Sequence, residues 1–339
     1  MNLDQKRDRY FELVNKIFPE LRLSSSFSIY GGDYPTSADI KLGNQSTAFK
    51  NKFQFSNTFI HYTSIEALMN IFNSQELRLF NCDHLNDPQE LKYSAKQLNI
   101  RMSEEEIEEF RRSFFILSAA EYDLANPNDD FNLWRLYGSS GYGAAIVFEI
   151  ENYTDKWDEI FYGKVNYGTE SHLYKDFIDF IKIHQDFNHE YKMFQNIPSL
   201  IPAIALHYKD LIWKIENEIR LIAYCPFDKW NLDSQPWEHG NPYLSNTIKH
   251  TINSFGNAVA YTSLPITLKQ IMQNFSKIIG EEDAAKYLSC IPQLKIRKVI
   301  LGHNVAEEVF HKIEELCFGY FSKIIGYTFE VAYSSFKKW

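Results

Sequence analysis

A chain of 339 residues is long enough for one large domain or two modest ones. Apolar residues make up 45% and aromatic residues 16%, which excludes a disordered or fibrous chain. The formal net charge of -9 argues against a surface built as a whole to attract nucleic acid or anionic membrane.

Four cysteines (Cys82, Cys225, Cys290 and Cys317) lie far apart with no CxxC pair. Neither a disulfide scaffold nor a zinc ribbon is expected, and a reducing cytoplasm fits them. The opening stretch MNLDQKRDRYFELVNKIF holds no apolar run of signal-peptide length. Nowhere do about 18 uncharged apolar residues follow one another, so a cytoplasmic protein without a membrane span is expected.

In chain order, Tyr10, Leu13, Val14 and Ile17 share one face of an opening helix, and a turn-rich stretch with Gly31, Gly32 and Pro35 follows. Residues 1 to 50 are expected to form a helical extension docked on a single domain over 51–339. FQFSNTFIHY reads as a strand and TSIEALMNIFNS as a helix. Thr63 to Glu66 has the S/T-x-x-E form of a capping box, which places His61 at a strand end just before a helix N-terminus. Such an end presents free N–H groups, a favourable place for a pyrophosphate. LRLFN is a further strand, HLNDPQE a turn, SEEEIEEFRRS a solvated helix with a second capping box, and FFILSAA a strand. DDFNLWRLYGSS then reads as a helix ending at glycine, with GYGAAIVFEI and FYGKVNYG as strands. A helical insertion is expected at about 170–215, a strand at 217–224, and an irregular region over 226–262. The chain closes with a helix around 267–289, the strand IRKVILG, the helix AEEVFHKIEELCFGYF and the strand YTFEVAYS. Strands and helices are intermixed without regular βαβ alternation, so the expected class is α+β.

Three stretches carry candidate chemistry. In NDPQE, Asp87 and Glu90 read first as a turn with a helix cap, and second as acids able to orient a substrate. In LWRLYGSSGYGAAIVFEI, Trp134 and Tyr137 share a helical face, either packing on the sheet or stacking on a flat ligand ring. A glycine either simply caps the end of the helix, or Gly141 and Gly143 let backbone approach a ligand closely. In WKIENEIRLIAY, a strand would point Glu216, Glu218 and Arg220 to one face beside apolar sequence. Charges so placed need partners or water, which suggests a site in a cleft.

In this order, FIHYTSIEALMNIF…LRLFNCDHLNDPQE, LWRLYGSSGYGAAIVFEI and WKIENEIRLI resemble the bacterial domain-of-unknown-function family 2971, over roughly residues 53 to 335. A second resemblance is to ADP-ribosyltransferases: a strand-end His followed by an aromatic and a hydroxyl, a middle strand, and a late Glu-x-Glu. It implies a split or mixed β-sheet core of the ADP-ribosyltransferase type with flanking helices. It also implies NAD as substrate, held by His61, Tyr62 and Thr63. Glu218 corresponds to the last, catalytic acid that bonds the ribose 2′-OH, and Glu216 to the upstream acid of the Glu-x-Glu. The middle position falls on Tyr137 or Tyr142, and Arg220 holds Glu218 ionised or contacts phosphate. No resident metal is implied. The resemblance further implies an ADP-ribose acceptor that is protein or nucleic acid, and a setting in toxins, toxin–antitoxin modules or antiphage defence with a partner protein.

Two readings compete with this one. A metal-dependent nuclease would use Asp87, Glu90, Glu216 and Glu218 as oxygen ligands for magnesium, with Arg220 where a late Lys is usual. A non-enzymatic partner or regulatory subunit would use its aromatics at an interface.

Overall fold

The computed structural model describes residues 3–25, 40–52, 56–84, 90–125, 129–151, 157, 159–191, 198–226, 244, 247–252, 256–267, 269–270, 272–273, 276 and 290–337. In chain order these form α1 (Leu3–Asn15), β1 (Arg22–Ser25), β2 (Ile40–Gly43), α2 (Gln45–Lys52), β3 (Thr58–Thr63), α3 (Ile65–Ser74) and β4 (Glu76–Asn81). They continue with α4 (Glu90–Gln97), α5 (Glu104–Ser113), β5 (Phe114–Glu121), α6 (Phe131–Leu136), β6 (Ala144–Ile150), β7 (Ile160–Lys164) and β8 (Asn166–Tyr167). After α7 (His172–Tyr191), α8 (Leu200–Leu206) and β9 (Tyr208–Lys209), a 3₁₀ helix spans Leu211–Glu216. The rest comprises β10 (Glu218–Tyr224), β11 (Lys249–Ile252), β12 (Ala258–Pro265), β13 (Leu294–Leu301), α9 (Glu307–Leu316), a π turn at Cys317–Phe321, α10 (Ser322–Ile325) and β14 (Glu330–Tyr333). The mixed, largely antiparallel sheet with its helices makes the fold α+β, as the sequence led us to expect. Asp87, the turn glycines 31 and 32, and most of the expected 267–289 helix lie outside the described residues.

Local signals explain several boundaries. Ser103 and Glu106 form the expected reciprocal capping box of α5. At α3 the frame differs by one residue: the cap is Ser64, whose hydroxyl accepts from the Ala67 N–H, rather than Thr63. Thr63 is still in β3, extended by pairing with Ala144, so its side chain is not free to cap.

The sheet forks at β5. Along one edge β5 pairs with β10 over its length, and β10 pairs in turn with β7. Ala120 and Ile116 each have a β10 partner, Glu218 and Ile222, and on their other side face Ile60 of β3 and Phe80 of β4 respectively. Thus β3 and β4 share the second edge of β5, and among the described residues no strand pairs with 117–119 between them. β4 leads on to β12 and β11, and β3 leads on to β6, β13 and β14.

Side-chain alternation gives the two faces of this sheet different covers. On one face Phe59, Phe115, Leu117, Phe148, Ile219 and Leu221 join one continuous core under α3, α9 and the π turn, with Leu68, Phe72, Phe310 and Phe321 buried against them. Each such buried side chain contributes about 1.5–3 kcal/mol relative to exposure. On the other face there are two cores. Ile60, Tyr62, Ala120, Ala145 and Val147 pack under Leu133 and Trp134 of α6. Phe114, Ile116, Phe161 and Ile222 pack with residues of α1, α2, α7 and α8.

Candidate functional site

The two cores part over Ser118. Ser118 is exposed although its strand lies inside the sheet, with β10 on one edge and β3 and β4 on the other. Its register partner is Arg220, and that of Ala120 is Glu218. Directly opposed residues share a face, so Glu218 and Arg220 lie on the parted face, between the two apolar covers.

Glu216 reaches this place by another route. Instead of preceding Glu218 on a strand, as the sequence pattern suggested, it ends the 3₁₀ helix Leu211–Glu216, and Asn217 then turns left-handed (φ 42°, ψ 47°) into β10. Asn tolerates this conformation better than most residues. Asp210 caps the helix, its carboxylate accepting from the Ile212 N–H at 3.0 Å, and Tyr93 Oη donates to the same carboxylate at 2.7 Å.

Lys209 ties the two acids together. Its ammonium lies 2.9 Å from Glu216 Oε2 and 2.8 Å from Glu218 Oε2. Arg220 Nε donates to Glu218 Oε1 at 2.7 Å and Nη2 to Oε2 at 3.2 Å, while Nη1 pairs with Glu90 and donates to the Leu206 carbonyl. Tyr137 Oη donates to Glu216 Oε1. Glu216, Glu218 and Arg220 are 5%, 4% and 2% exposed, yet each is ion-paired, as burial of charge demands.

The electrostatics follow from these contacts. Burial alone would raise the Glu218 carboxyl, but Arg220 and Lys209 outweigh it and pull its pKa down to about 2. Burial and Arg220 disfavour the Lys209 ammonium, yet Glu218 and Glu90 hold it above its usual range. Burial, then the bond to Glu216, pushes the Tyr137 phenol up, so it stays a neutral donor. Three carboxylates (Glu90, Glu216, Glu218) face two cations (Lys209, Arg220), an excess of one negative charge.

The rim is apolar. Leu211, Ile212, Trp213 and Ile215 of the 3₁₀ helix are all exposed, Ile212 by 77%, and Tyr137 is 44% exposed. The Lys209 ammonium lies 5.6 Å from the Trp213 ring centroid.

Some expected site residues are elsewhere. Alternation puts His61 on the Phe59 face, opposite Glu218. Its Nδ1 lies 3.3 Å from the Ser118 carbonyl, so the ring enters the fork between β3 and β4 instead of joining the acids. A carbonyl only accepts, so Nδ1 carries the proton and Nε2 keeps its lone pair. Burial lowers the His61 pKa against the raising effect of the Ser118 bond, which favours this neutral form. Tyr62 is a core residue: its hydroxyl accepts from the Asp130 N–H at 3.0 Å and its ring meets Trp134 edge-on. Thr63 is half-buried in β3, its carbonyl against Gly143. Of the two tyrosines left open, Tyr137 touches the acids, whereas Tyr142 is 64% exposed and bonds to none of them.

The glycines serve packing. A Cβ on Gly143 would collide with the Thr63 and Gly138 carbonyls, and one on Gly141, at φ +83°, with the His303 ring. Trp134 is wholly buried, its indole donating to Asp129, and is no stacking platform. Sequence reasoning passed over Lys209 and Ser118, and met Trp213 only as the first residue of WKIENEIRLIAY. The only signal for Lys209 was its position a few residues before the acids.

Among the described residues, no group of three or more His, Cys, Asp or Glu side chains is arranged to hold a metal ion. No helix among them is long and apolar enough to cross a membrane. Cys82, Cys225 and Cys317 are buried and Cys290 is half-buried.

No curated protein and no solved structure matches the chain. Residues 133–221 match the family model described as Protein of unknown function (DUF2971), a narrower span than the 53–335 over which the sequence blocks suggested the resemblance. Tyr137 lies near the start of that match, and Lys209, Glu216, Glu218 and Arg220 near its end. The matched span thus holds Tyr137, Lys209, Glu216, Glu218 and Arg220, whereas Glu90 of the same ion network lies outside it.

Proposed function

We propose that the protein is an NAD-dependent ADP-ribosyltransferase of the cytoplasm, of the toxin or antiphage-defence kind, acting on a macromolecular acceptor. The observation that carries this reading is Glu218, a carboxylate held ionised where the two covers of the sheet part, beside Glu216 and an aromatic rim. Cleavage of the N-glycosidic bond passes through an oxocarbenium-like state, which a fixed negative charge stabilises. The C1′–N bond breaks and its electron pair leaves with nicotinamide. A lone pair of the acceptor then forms the new bond to C1′, and the acceptor's proton passes to Glu216. For that, the Tyr137 hydroxyl must swing off Glu216, and its partial exposure leaves it room to do so. Tyr137 and Trp213 are the aromatic faces available to the nicotinamide ring. Arg220 holds Glu218 in place.

The test is nicotinamide release from NAD by the wild type, Glu218→Gln and Glu216→Gln, each checked for folding. Release that falls about a hundredfold or more in Glu218→Gln supports the reading. Release that is absent in the wild type, or equal in the folded variants, contradicts it.

A second reading has one observation in its favour. The exposed row Leu211, Ile212, Trp213 and Ile215 is the kind of surface that binds a partner protein. Under it, Ile212→Glu abolishes function while Glu218→Gln leaves it intact. The magnesium-nuclease reading is not favoured, because Glu90, Glu216 and Glu218 already pair with Arg220 and Lys209.

A further inference from the structure

Asp129, the first residue of DDFNLWRLYGSS, was given no role in the sequence, yet four hydrogen-bond donors converge on its carboxylate. Its Oδ2 accepts from the Trp134 indole N–H at 2.6 Å and from Ser334 Oγ at 2.5 Å. Its Oδ1 accepts from the Ser335 N–H at 3.1 Å and from Ser335 Oγ. It is 8% exposed. Burial disfavours its charge, but the bonds from Ser334, Ser335 and Trp134 prevail and its pKa is lowered.

These bonds join two parts of the chain that are about 200 residues apart. One is the segment after β14. It is fixed to β13 by the Ser334 N–H bond to the Leu301 carbonyl, and at its end Lys337 Nζ donates to the Val305 carbonyl at 2.7 Å. Phe336 meets Phe131, the first residue of α6, edge-on at 5.4 Å. The other part is α6 itself, which has only six residues and cannot hold its own position. Its N-terminus is capped by Asp130, which the Tyr62 hydroxyl holds in turn. Its C-cap is Tyr137, the residue whose hydroxyl covers Glu216.

We infer that Asp129 is a positioning residue for the candidate site: by clamping α6 to the segment Ser334–Phe336, it sets the Tyr137 hydroxyl on Glu216. The C-terminal segment is then a strap whose attachment decides whether Glu216 is covered. The inference concerns the Tyr137–Glu216 contact and stands whether or not NAD is the substrate.

The test reads that contact directly. Full-length protein is treated with tetranitromethane, and nitration of Tyr137 is followed by peptide mass spectrometry in the wild type, Asp129→Asn and Ser335→Ala. A phenol hydrogen-bonded to a carboxylate ionises poorly and is nitrated slowly. Tyr93, bonded to Asp210 on the other cover, is the internal control. The expected result is a several-fold rise at Tyr137 in Asp129→Asn and a smaller one in Ser335→Ala, with Tyr93 unchanged. A Tyr137 rate equal to wild type, or a parallel rise at Tyr93, overturns the inference. Ser335 is exposed and its replacement keeps the backbone bond, so that variant carries the test even where Asp129→Asn does not fold.

Discussion

The two faces of the sheet solve the burial problem differently. One is a continuous apolar core that includes Leu221, Ile219 and Phe59. On the other, Arg220 and Glu218, alternating with those same residues of β10, hold an ion network between two separate cores. The apolar face stabilises the fold more simply. A buried network of this kind is a poor way to gain stability, since a hydrophobic replacement of similar shape is often no worse. Its place on the face where Ser118 is open to solvent assigns it to a site rather than to the core.

The comparison can be broken at adjacent positions. Arg220→Ala takes the paired cation from buried Glu90 and leaves Glu218 with Lys209 alone, and is expected to cost about 3–5 kcal/mol, read by urea denaturation. Leu221→Ala, one residue on and pointing to the other face, is expected to cost about 2–5 kcal/mol through a cavity. Only the Arg220 variant should make the loss depend on pH.

Acid sharpens the contrast next. The unfolded chain protonates histidine near 6.5, whereas buried His207 resists protonation until about 4, and unfolded glutamate near 4.5 compares with about 2 for Glu218. In both cases the unfolded state binds more protons below the unfolded pKa, so stability is present above that value and is lost as pH falls. Stability should therefore decline from about pH 6.5 to 4 through His207 and the similarly buried His184, each by on the order of 3 kcal/mol, and further from 4.5 toward 2 through Glu218. Replacing His207 with a neutral residue of similar size should shrink the first phase, leaving the share of buried His184, whose pKa burial also lowers to about 4, and should spare the second.

Smaller effects come from a packed glycine and from the rim. Gly143→Ala forces a Cβ against the Thr63 and Gly138 carbonyls and is expected to cost about 1–3 kcal/mol. Trp213→Ala, at an exposed position, should change stability by no more than about 0.5 kcal/mol and yet impair function. A Trp213 variant that is both stable and fully active would detach the rim from the site.

The sequence made some of this legible and hid the rest for definable reasons. Alternation in FFILSAA and NEIRLIAY gave β5 and β10, and the Ser103–Glu106 pair gave the start of α5, because those signals are local. Glu216 and Glu218 were brought together as expected, but through a left-handed Asn217 that no periodicity marks. His61 was assigned to the acids because a linear pattern cannot show which face of a sheet a strand presents once the sheet forks. Lys209 and Asp129 were missed because their partners lie in other elements: Lys209 is made central by Glu216 and Glu218, and Asp129 by a tail about 200 residues away.

The most direct measurement of the central claim, that the parted face is where NAD is engaged, is amide hydrogen exchange with and without saturating NAD. Added protection concentrated in 117–120, 137 and 209–220, with α9 and β14 on the far edge unchanged, is the predicted result. Protection confined to the continuous core and its helices, or none at any NAD concentration, would contradict it.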